Sequence, residues 1–151
     1  MKKYNLLLPI AGKAQRFIDA GFSMPKPLIH AGEDQIIDLS ISSINIEDCN
    51  LIFIVRRDHI LNFNIDNILK IKFGEDIKII TIDTLTRGAL ETCYKALEGI
   101  NLSNPLMIYT PDVYFQPTFD PASIDKDSDG FLLTFQANSP DHSYVKINEK
   151  G

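Results

Sequence analysis

The sequence predicts an α/β protein: a three-layer α/β/α sandwich around a mostly parallel, Rossmann-like sheet, with antiparallel edge strands near the C-terminus. Two observations predict this fold class. Over most of the chain, short apolar runs typical of buried strands alternate with amphipathic helical patterns. Such alternation is typical of parallel strands joined by helices that cover both faces of a sheet. Towards the C-terminus, two closely spaced strand-like runs follow each other without a helical pattern, which favours antiparallel pairing.

The first predicted strand is an apolar run at Tyr4–Pro9, bounded by a Gly-containing loop as a central parallel strand would be. The other predicted strands lie at residues 51–55, 77–82 and 106–109 in the parallel part, and at residues 130–137 and 143–147 in the antiparallel part.

Between the parallel strands, apolar residues at spacings of three and four predict helices. The predicted helices lie at residues 36–46, 58–69 and 86–97. Asp58 is expected to cap the second helix, because it follows a strand directly and its side chain suits an N-cap. The third helix is expected to stop near Gly99, as helices commonly do at glycine.

Bulk properties exclude several classes of protein. With 151 residues, 44% of them hydrophobic, the chain can bury about two-thirds of its unfolded surface and is expected to form one domain. A net charge of -5 argues against a protein whose main task is to hold nucleic acid, which needs a broad Lys/Arg surface. No stretch reaches the roughly 18 apolar residues that span a membrane. Cys49 and Cys93 form no CxxC pair, so we interpret both as core residues of a cytoplasmic protein.

A loop of small and basic residues follows the first strand. In an open α/β sheet, ligands bind at the carboxyl ends of the strands, where backbone N–H groups are free. Small residues in this loop allow the backbone to approach a phosphate, and Arg16 can form bidentate bonds to phosphate oxygens. The candidate nucleotide-binding residues of the loop are Pro9, Ala11, Gly12, Lys13 and Ala14.

A third cation, Lys26, stands between Pro25 and Pro27, which fix the backbone around it. Three cations in a short stretch of an acidic protein favour an anionic ligand, although a solvated surface loop is the alternative. The segment is neither a Walker loop nor a GxGxxG dinucleotide fingerprint, so hydride chemistry loses support.

The chain resembles the opening of the sugar-phosphate nucleotidyltransferase family in LLLPIAGKAQRF and, after it, in MPKPLI. It is most similar to the capsule-type members, whose openings AGxGSRF and GYxxPKPLI correspond to AGKAQRF and GFSMPKPLI. The family's Thr-Gly-Ala helix start, which faces the nucleotide base, resembles LTRGALETCYKAL. Its strand with a terminal magnesium-binding Asp resembles MIYTPDVYF, and its following edge strands resemble GFLLTFQANSPDHSYVKINEKG. The motifs occur in the family's order over essentially the whole chain.

The resemblance implies a GT-A-type fold and an enzyme that takes a nucleoside triphosphate and a sugar phosphate, or a similar phosphorylated metabolite, and releases pyrophosphate. The expected purpose is the synthesis of capsule or another surface polysaccharide, and a homo-oligomer is possible. By position, Gly12 contacts phosphate, Arg16 holds the pyrophosphate, Lys26 bridges the α-phosphate and the attacking phosphate, and Gly88 contacts the base. Asp112 is the implied ligand of Mg²⁺, the expected cofactor.

The sequence departs from the family's pattern in two ways. Ala14 stands where the family usually has a second Gly, and Gln15 stands where a small hydroxyl residue is common. The family also has a second acidic metal ligand further along, which this sequence does not reach. We therefore expect residues 1–151 to be a single nucleotidyltransferase-like domain that is incomplete at its C-terminus.

Other interpretations stay open. A glycosyltransferase of the same sheet type would use a nucleotide sugar, but those enzymes usually have a DxD pair where this chain has Pro111, Asp112 and Val113. A truncated domain that binds a nucleotide or a partner without catalysis is a further alternative. Asp112 could also simply cap a turn, and Gly88 could begin a helix without binding any ligand.

Overall fold

The structure is a computed structural model that describes residues 2–125, 127–140 and 142–148. The chain divides into two compact units, one ending at Pro121 and the other beginning at Ala122. Among the described residues, no helix has both the length and the apolar character needed to cross a membrane.

The strands and helices follow one another in the first unit. The strands are β1 (Tyr4–Pro9), β2 (His30–Ala31), β3 (Asp34–Gln35), β4 (Cys49–Arg56), β5 (Lys78–Ile82) and β6 (Leu106–Ile108). The α-helices are α1 (Gln15–Asp19), α2 (Ile36–Ile41), α3 (Arg57–Phe63), α4 (Ile65–Phe73) and α5 (Ala89–Ala96). Short 3-10 helices lie at Lys26–Leu28, Leu97–Gly99 and Pro121–Ser123.

Four of the strands form a parallel sheet in the order β5-β4-β1-β6. β2 and β3 form a separate antiparallel pair. The predicted α/β fold with a mostly parallel central sheet is therefore confirmed. Buried parallel strands are continuous apolar runs, and β1 has four consecutive buried residues, which is why its bounds could be predicted.

Helices cover both faces of the sheet. On one face, α2, α3 and α4 pack against a cluster that includes Leu6, Leu8 and Phe53. On the other face, α5 packs through Cys93 against Leu7 and its neighbours. The connections from β1 to β4 and from β4 to β5 run over the first face, and the return from β5 to β6 runs over the second. Crossovers between parallel strands share one hand, so a connection that runs in the opposite direction along the sheet must also cross the opposite face.

The helix predicted at residues 58–69 is two helices. Asn64 ends α3 and begins α4 with a φ of 52°, in the left-handed region that Asn tolerates better than most residues. The prediction that Asp58 is the N-cap was wrong, because β4 runs directly into α3 and Arg56 occupies the cap. Asp58 instead lies in the first turn, where its carboxylate accepts a hydrogen bond from Arg56 Nε at 2.9 Å.

The antiparallel edge strands predicted at residues 130–137 and 143–147 were wrong: residues 127–140 and 142–148, as far as they are described, contain no strand. Side chains link the two segments instead of a backbone ladder. The Tyr144 hydroxyl lies 3.1 Å from the carbonyl of Ala137 and 2.6 Å from that of Ser139. The rings of Phe135 and His142 lie 5.3 Å apart. Residues with high strand propensity form a strand only where a partner strand is available, so the apolar pattern alone predicted strands that do not form here.

One buried polar residue, Asn5, fixes the register of the central strands. Its Nδ2 donates to the carbonyl of Asn101 at 2.7 Å, and its Oδ1 accepts from Nδ2 of Asn50 at 3.0 Å. Asn5 and Asn50 are direct partners in the pairing of β1 with β4. Because an unpaired buried amide is costly, the side chains favour this register over any shifted one.

Candidate active site

The carboxyl ends of β1 and β6 lie side by side. Leu7 pairs with Ile108, and the N–H of Tyr109 donates to the carbonyl of Leu7 at 3.0 Å. The chain leaves β1 towards β4 on one side and returns to β6 on the other, so the strand order reverses here. Ligands of open α/β sheets bind in the crevice at such a reversal. The fold therefore brings the segments after Pro9 and after Ile108 to one candidate crevice.

The loop after β1 presents free backbone donors. Ala11 is buried and packs in the same apolar cluster as Cys93 of α5, which anchors the start of the loop. Beyond it, the N–H groups of Gly12, Lys13 and Ala14 donate to no acceptor in the described part of the chain. Consecutive unpaired N–H groups are suited to an anion such as a phosphate.

Ala14 adopts φ 52° and ψ 43°, in the left-handed region. This is the position where the resemblance leads one to expect glycine. An L-residue with a Cβ costs about 1–2 kcal/mol in that conformation, whereas glycine adopts it freely. The backbone thus keeps the turn expected of a glycine although the side chain disfavours it.

The loop and the first turn of α1 carry cations that no described acidic group neutralises. Lys13 and Arg16 are exposed, and neither forms an ion pair with any residue that the structure describes. By contrast, Arg56 and Arg57 at the end of β4 are paired with Asp58 and Asp83. Positive charge that no described acidic group neutralises is therefore concentrated, at this edge of the sheet, in the loop after β1 and in α1.

Lys26 reaches across to the segment that follows β6. Its Nζ lies 2.8 Å from Oδ2 of Asp112, although 86 residues separate the two in sequence. The flanking Pro25 and Pro27 are buried, so the backbone that carries Lys26 is anchored. The ammonium also lies 5.3 Å from the centroid of the Phe17 ring, within the range of a cation–π contact. Since Phe17 adjoins Arg16, this contact brings α1 next to Lys26.

The loop that carries Asp112 is docked on the C-terminal end of α2. Ser43 is fully buried; its Oγ accepts the N–H of Phe115 at 3.0 Å, and its carbonyl accepts the N–H of Phe119 at 2.8 Å. The hydroxyl of Tyr109 donates to the carbonyl of Ser40 at 3.0 Å. Burial raises the pKa of Tyr109, so its hydroxyl keeps its proton for this bond. These contacts fix the position from which Asp112 meets Lys26.

Gly88 is the N-cap of α5, as the sequence led us to expect of a helix start. Its carbonyl accepts the N–H of Thr92 at 3.1 Å and lies 3.1 Å from the hydroxyl of Thr92 and 3.2 Å from that of Thr86, so one hydroxyl donates to the carbonyl and the other to its neighbouring hydroxyl. The hydroxyls of Thr86 and Thr92 lie 2.5 Å apart. Thr92 is buried, so this network anchors the start of α5 at the same carboxyl edge of the sheet.

Asp112 has the chemistry of a ligand for a hard cation. Its carboxylate is partly exposed, and Mg²⁺ in enzymes is often bound by one or two carboxylates together with substrate phosphates and water. No group of three or more His, Cys, Asp or Glu side chains that could hold a metal ion exists within residues 2–125, 127–140 and 142–148. Asp112 could therefore hold a divalent cation together with ligands such as phosphate oxygens and water.

The structure therefore brings Lys26 to Asp112 and places α1, which carries Arg16, next to Lys26 through Phe17, and it sets Gly88 on the same edge of the sheet. Three contributors could not be found by sequence reasoning. Phe17 ends the first motif, and no role was predicted for it. Ser43 and Tyr109 carry no local signal, because their roles depend on contacts between distant segments.

No family model matches the chain, and no curated protein matches it either. The chain does match solved structures. The nucleoside-diphosphate-sugar pyrophosphorylase of Vibrio cholerae RC9 is 21% identical with a TM-score of 0.57, over 74% of this chain and 50% of that protein. The UTP-bound UGPase of Acinetobacter baumannii is 17% identical with a TM-score of 0.53, over 78% of this chain and 48% of that protein.

A third similar structure, Rv0371c of Mycobacterium tuberculosis H37Rv, is 13% identical with a TM-score of 0.50 and covers 80% of this chain and 56% of that protein. The chain thus spans about half the length of the solved structures that it resembles. At these identities the likeness concerns the fold: the chain has the α/β fold of solved nucleotide-sugar pyrophosphorylases.

Proposed function

We propose that the chain belongs to a nucleotidyltransferase that transfers a nucleoside monophosphate from a nucleoside triphosphate to a sugar phosphate and releases pyrophosphate. The observation that supports this most is the meeting of Lys26 and Asp112 at 2.8 Å, at the carboxyl edge beside a loop with free N–H groups. A crevice with cations, free amides and one carboxylate suits a polyphosphate with a metal. The fold shared with nucleotide-sugar pyrophosphorylases agrees with this substrate class.

In the proposed reaction, an oxygen of the sugar phosphate attacks the α-phosphorus in line. The new O–P bond forms as the bond to the bridging oxygen of the β-phosphate breaks, and pyrophosphate leaves with that electron pair. A phosphate nucleophile is already ionised, so no general base is needed. Catalysis then consists mainly of positioning and charge neutralisation.

Each residue of the crevice has a task in this proposal. The N–H groups of Gly12, Lys13 and Ala14 hold phosphate oxygens, and Arg16 binds the departing pyrophosphate. Lys26 bridges the α-phosphate and the attacking phosphate. Gly88 lies against the base, and open space surrounds the position that a Cβ would occupy there. Asp112 would hold Mg²⁺, which, when bound, neutralises charge on the phosphates.

We also propose that the product serves capsule or other surface polysaccharide synthesis. The support is the similarity of AGKAQRF and GFSMPKPLI to the openings of capsule-type nucleotidyltransferases. A panel of nucleoside triphosphates and sugar 1-phosphates defines the base and the sugar.

Pyrophosphate release from such a panel tests the proposal, with Lys26→Met and Lys3→Met compared. Lys3 also forms an ion pair, with Asp48 at 2.5 Å, but at the start of β1, about 20 Å from its carboxyl end for a six-residue strand. Loss of Lys26 is expected to lower turnover by about 100-fold, the usual order for removing one charge-stabilising donor. Loss of Lys3 is expected to leave turnover unchanged. Equal turnover of the two variants would overturn the assignment of Lys26.

A nucleotide-binding domain without catalysis is the second candidate. It is favoured by one observation: among the described residues, Asp112 belongs to no group of three or more His, Cys, Asp or Glu side chains that could hold a metal ion. Calorimetry with each nucleoside triphosphate and Mg²⁺ separates the candidates. Binding without pyrophosphate release by the 151-residue chain would support the second candidate, and no binding of any triphosphate would overturn both.

A further inference from the structure

The proposed function assigns Lys26 and Asp112 to ligands of opposite charge, yet the two side chains form an ion pair with each other. Lys26 is assigned to phosphate and Asp112 to a divalent cation. In the structure each neutralises the other, with Nζ 2.8 Å from Oδ2. A side chain cannot bind its counter-ion and its substrate group with full strength at the same time. The pair therefore competes with both ligands.

The surroundings of the ion pair hold each of the two side chains near its present position when the pair is broken. The Lys26 ammonium has the Phe17 ring at 5.3 Å as its other contact, so it stays near the loop after β1 when Asp112 is taken away. Asp112 lies on a loop held by Ser43 and Tyr109, so its carboxylate keeps its position when Lys26 turns to a phosphate. Separation of the two charges requires only side-chain movement.

We propose that Lys26 and Asp112 are mutual counter-ions that a triphosphate and a divalent cation displace together, so that each ligand strengthens binding of the other. This inference rests on the proposed function. A cation on Asp112 frees Lys26 for the phosphates, and phosphates on Lys26 free Asp112 for the cation. Such coupling is reciprocal by thermodynamic necessity. It differs from the general attraction between a metal ion and a nucleotide because it passes through two named side chains.

The binding of each common nucleoside triphosphate, measured in the presence of EDTA, separates the effect of the ion pair from that of the metal. Four forms of the full 151-residue chain are compared by calorimetry: the wild type, Asp112→Asn, Lys26→Met and the double variant. Asp112→Asn is expected to bind the triphosphate about fivefold more tightly than the wild type, the order expected for a partly exposed ion pair. In the Lys26→Met background, the same Asp112→Asn change is expected to produce no gain.

Asp48→Asn is the control for removing one negative charge, since Asp48 pairs with Lys3 at the amino edge of the sheet. It is expected to leave triphosphate binding unchanged. A second readout reverses the roles: Mn²⁺ binding without nucleotide, measured by electron paramagnetic resonance, is expected to tighten about fivefold in Lys26→Met and to be lost in Asp112→Asn.

The outcomes distinguish this inference from the function on which it rests. If Asp112→Asn tightens triphosphate binding equally with and without Lys26, the carboxylate acts by simple repulsion and the inference is wrong, while the binding function stands. The same holds if Asp112→Asn produces no gain in either background. If no form binds any triphosphate, with EDTA or with Mg²⁺, the proposed function itself fails.

Discussion

Replacing Ser43 by alanine tests how the Asp112 loop is held. Ser43 is fully buried, and its Oγ accepts the N–H of Phe115 at 3.0 Å. Alanine removes the acceptor and leaves a half-buried N–H without a partner. A buried donor left unpaired costs about 1–3 kcal/mol, so the free energy of unfolding should fall by about that amount. Against a typical total of about 5–15 kcal/mol, such a loss is readily measured.

Its neighbour Ser42 is the matched control. The Ser42 hydroxyl is exposed and donates only to the nearby carbonyl of Leu39 at 2.7 Å, so Ser42→Ala should change stability by less than about 0.5 kcal/mol. Urea unfolding measures both variants, and amide exchange of Phe115 reports the loop directly. Faster exchange at Phe115 is expected in Ser43→Ala alone. If the two variants differ by less than about 0.5 kcal/mol, the reasoning about the buried hydroxyl is refuted.

Three further changes test other contacts. Ala14→Gly should raise the free energy of unfolding by about 1 kcal/mol, because it relieves a φ of 52°; Ala20→Gly, at φ -84°, should not, and urea unfolding compares them. His59 is buried, which lowers its pKa below the ordinary 6.5. Unfolding therefore takes up a proton as pH falls below 6.5, so stability should fall between pH 7.5 and 5 in the wild type and less in His59→Phe, as urea midpoints would show. Thr92→Val removes the hydroxyl that lies 3.1 Å from the carbonyl of Gly88 and should lower stability by about 1 kcal/mol and weaken triphosphate binding in calorimetry; unchanged binding would argue that this end of α5 lies outside the site.

The parallel strands could be predicted because burial on both faces makes each of them a continuous apolar run. β1 has the predicted bounds, and β4, β5 and β6 contain or nearly match the predicted ranges. Helix ends were harder. The break at Asn64 depends on one residue entering the left-handed region, which an apolar spacing pattern does not record. The strand predictions for residues 130–137 and 143–147 were wrong for a related reason. These apolar runs have strand propensity, but the two segments are linked by the Tyr144 side chain, which binds backbone carbonyls, and not by strand pairing.

For the candidate site, the sequence predicted which segments lie at the strand ends, but not which of their atoms make contact. The loop after β1 and Asp112 could be assigned to strand ends, and parallel strand ends share an edge, so their proximity follows from the fold. Which atoms meet does not follow. The bond between Lys26 and Asp112 joins residues 86 positions apart, and it depends on how Ser43 holds the second loop. The roles given to the site residues all stay predictions, namely those of Pro9, Ala11, Gly12, Lys13, Ala14, Arg16, Lys26, Gly88 and Asp112.

The paired amides of Asn5 and Asn50 have a consequence for the far end of the strands. β1 is an apolar run buried on both faces, so its apolar side chains alone would tolerate a shift in register of one or two residues. Two residues correspond to about 6.6 Å along a strand, more than twice a hydrogen-bond length. Such a shift would carry the loop after Pro9 away from Tyr109 and the residues beyond it. The position of the loop after Pro9 relative to Tyr109, at one edge of this sheet, is thus supported by two side-chain amides at the other edge.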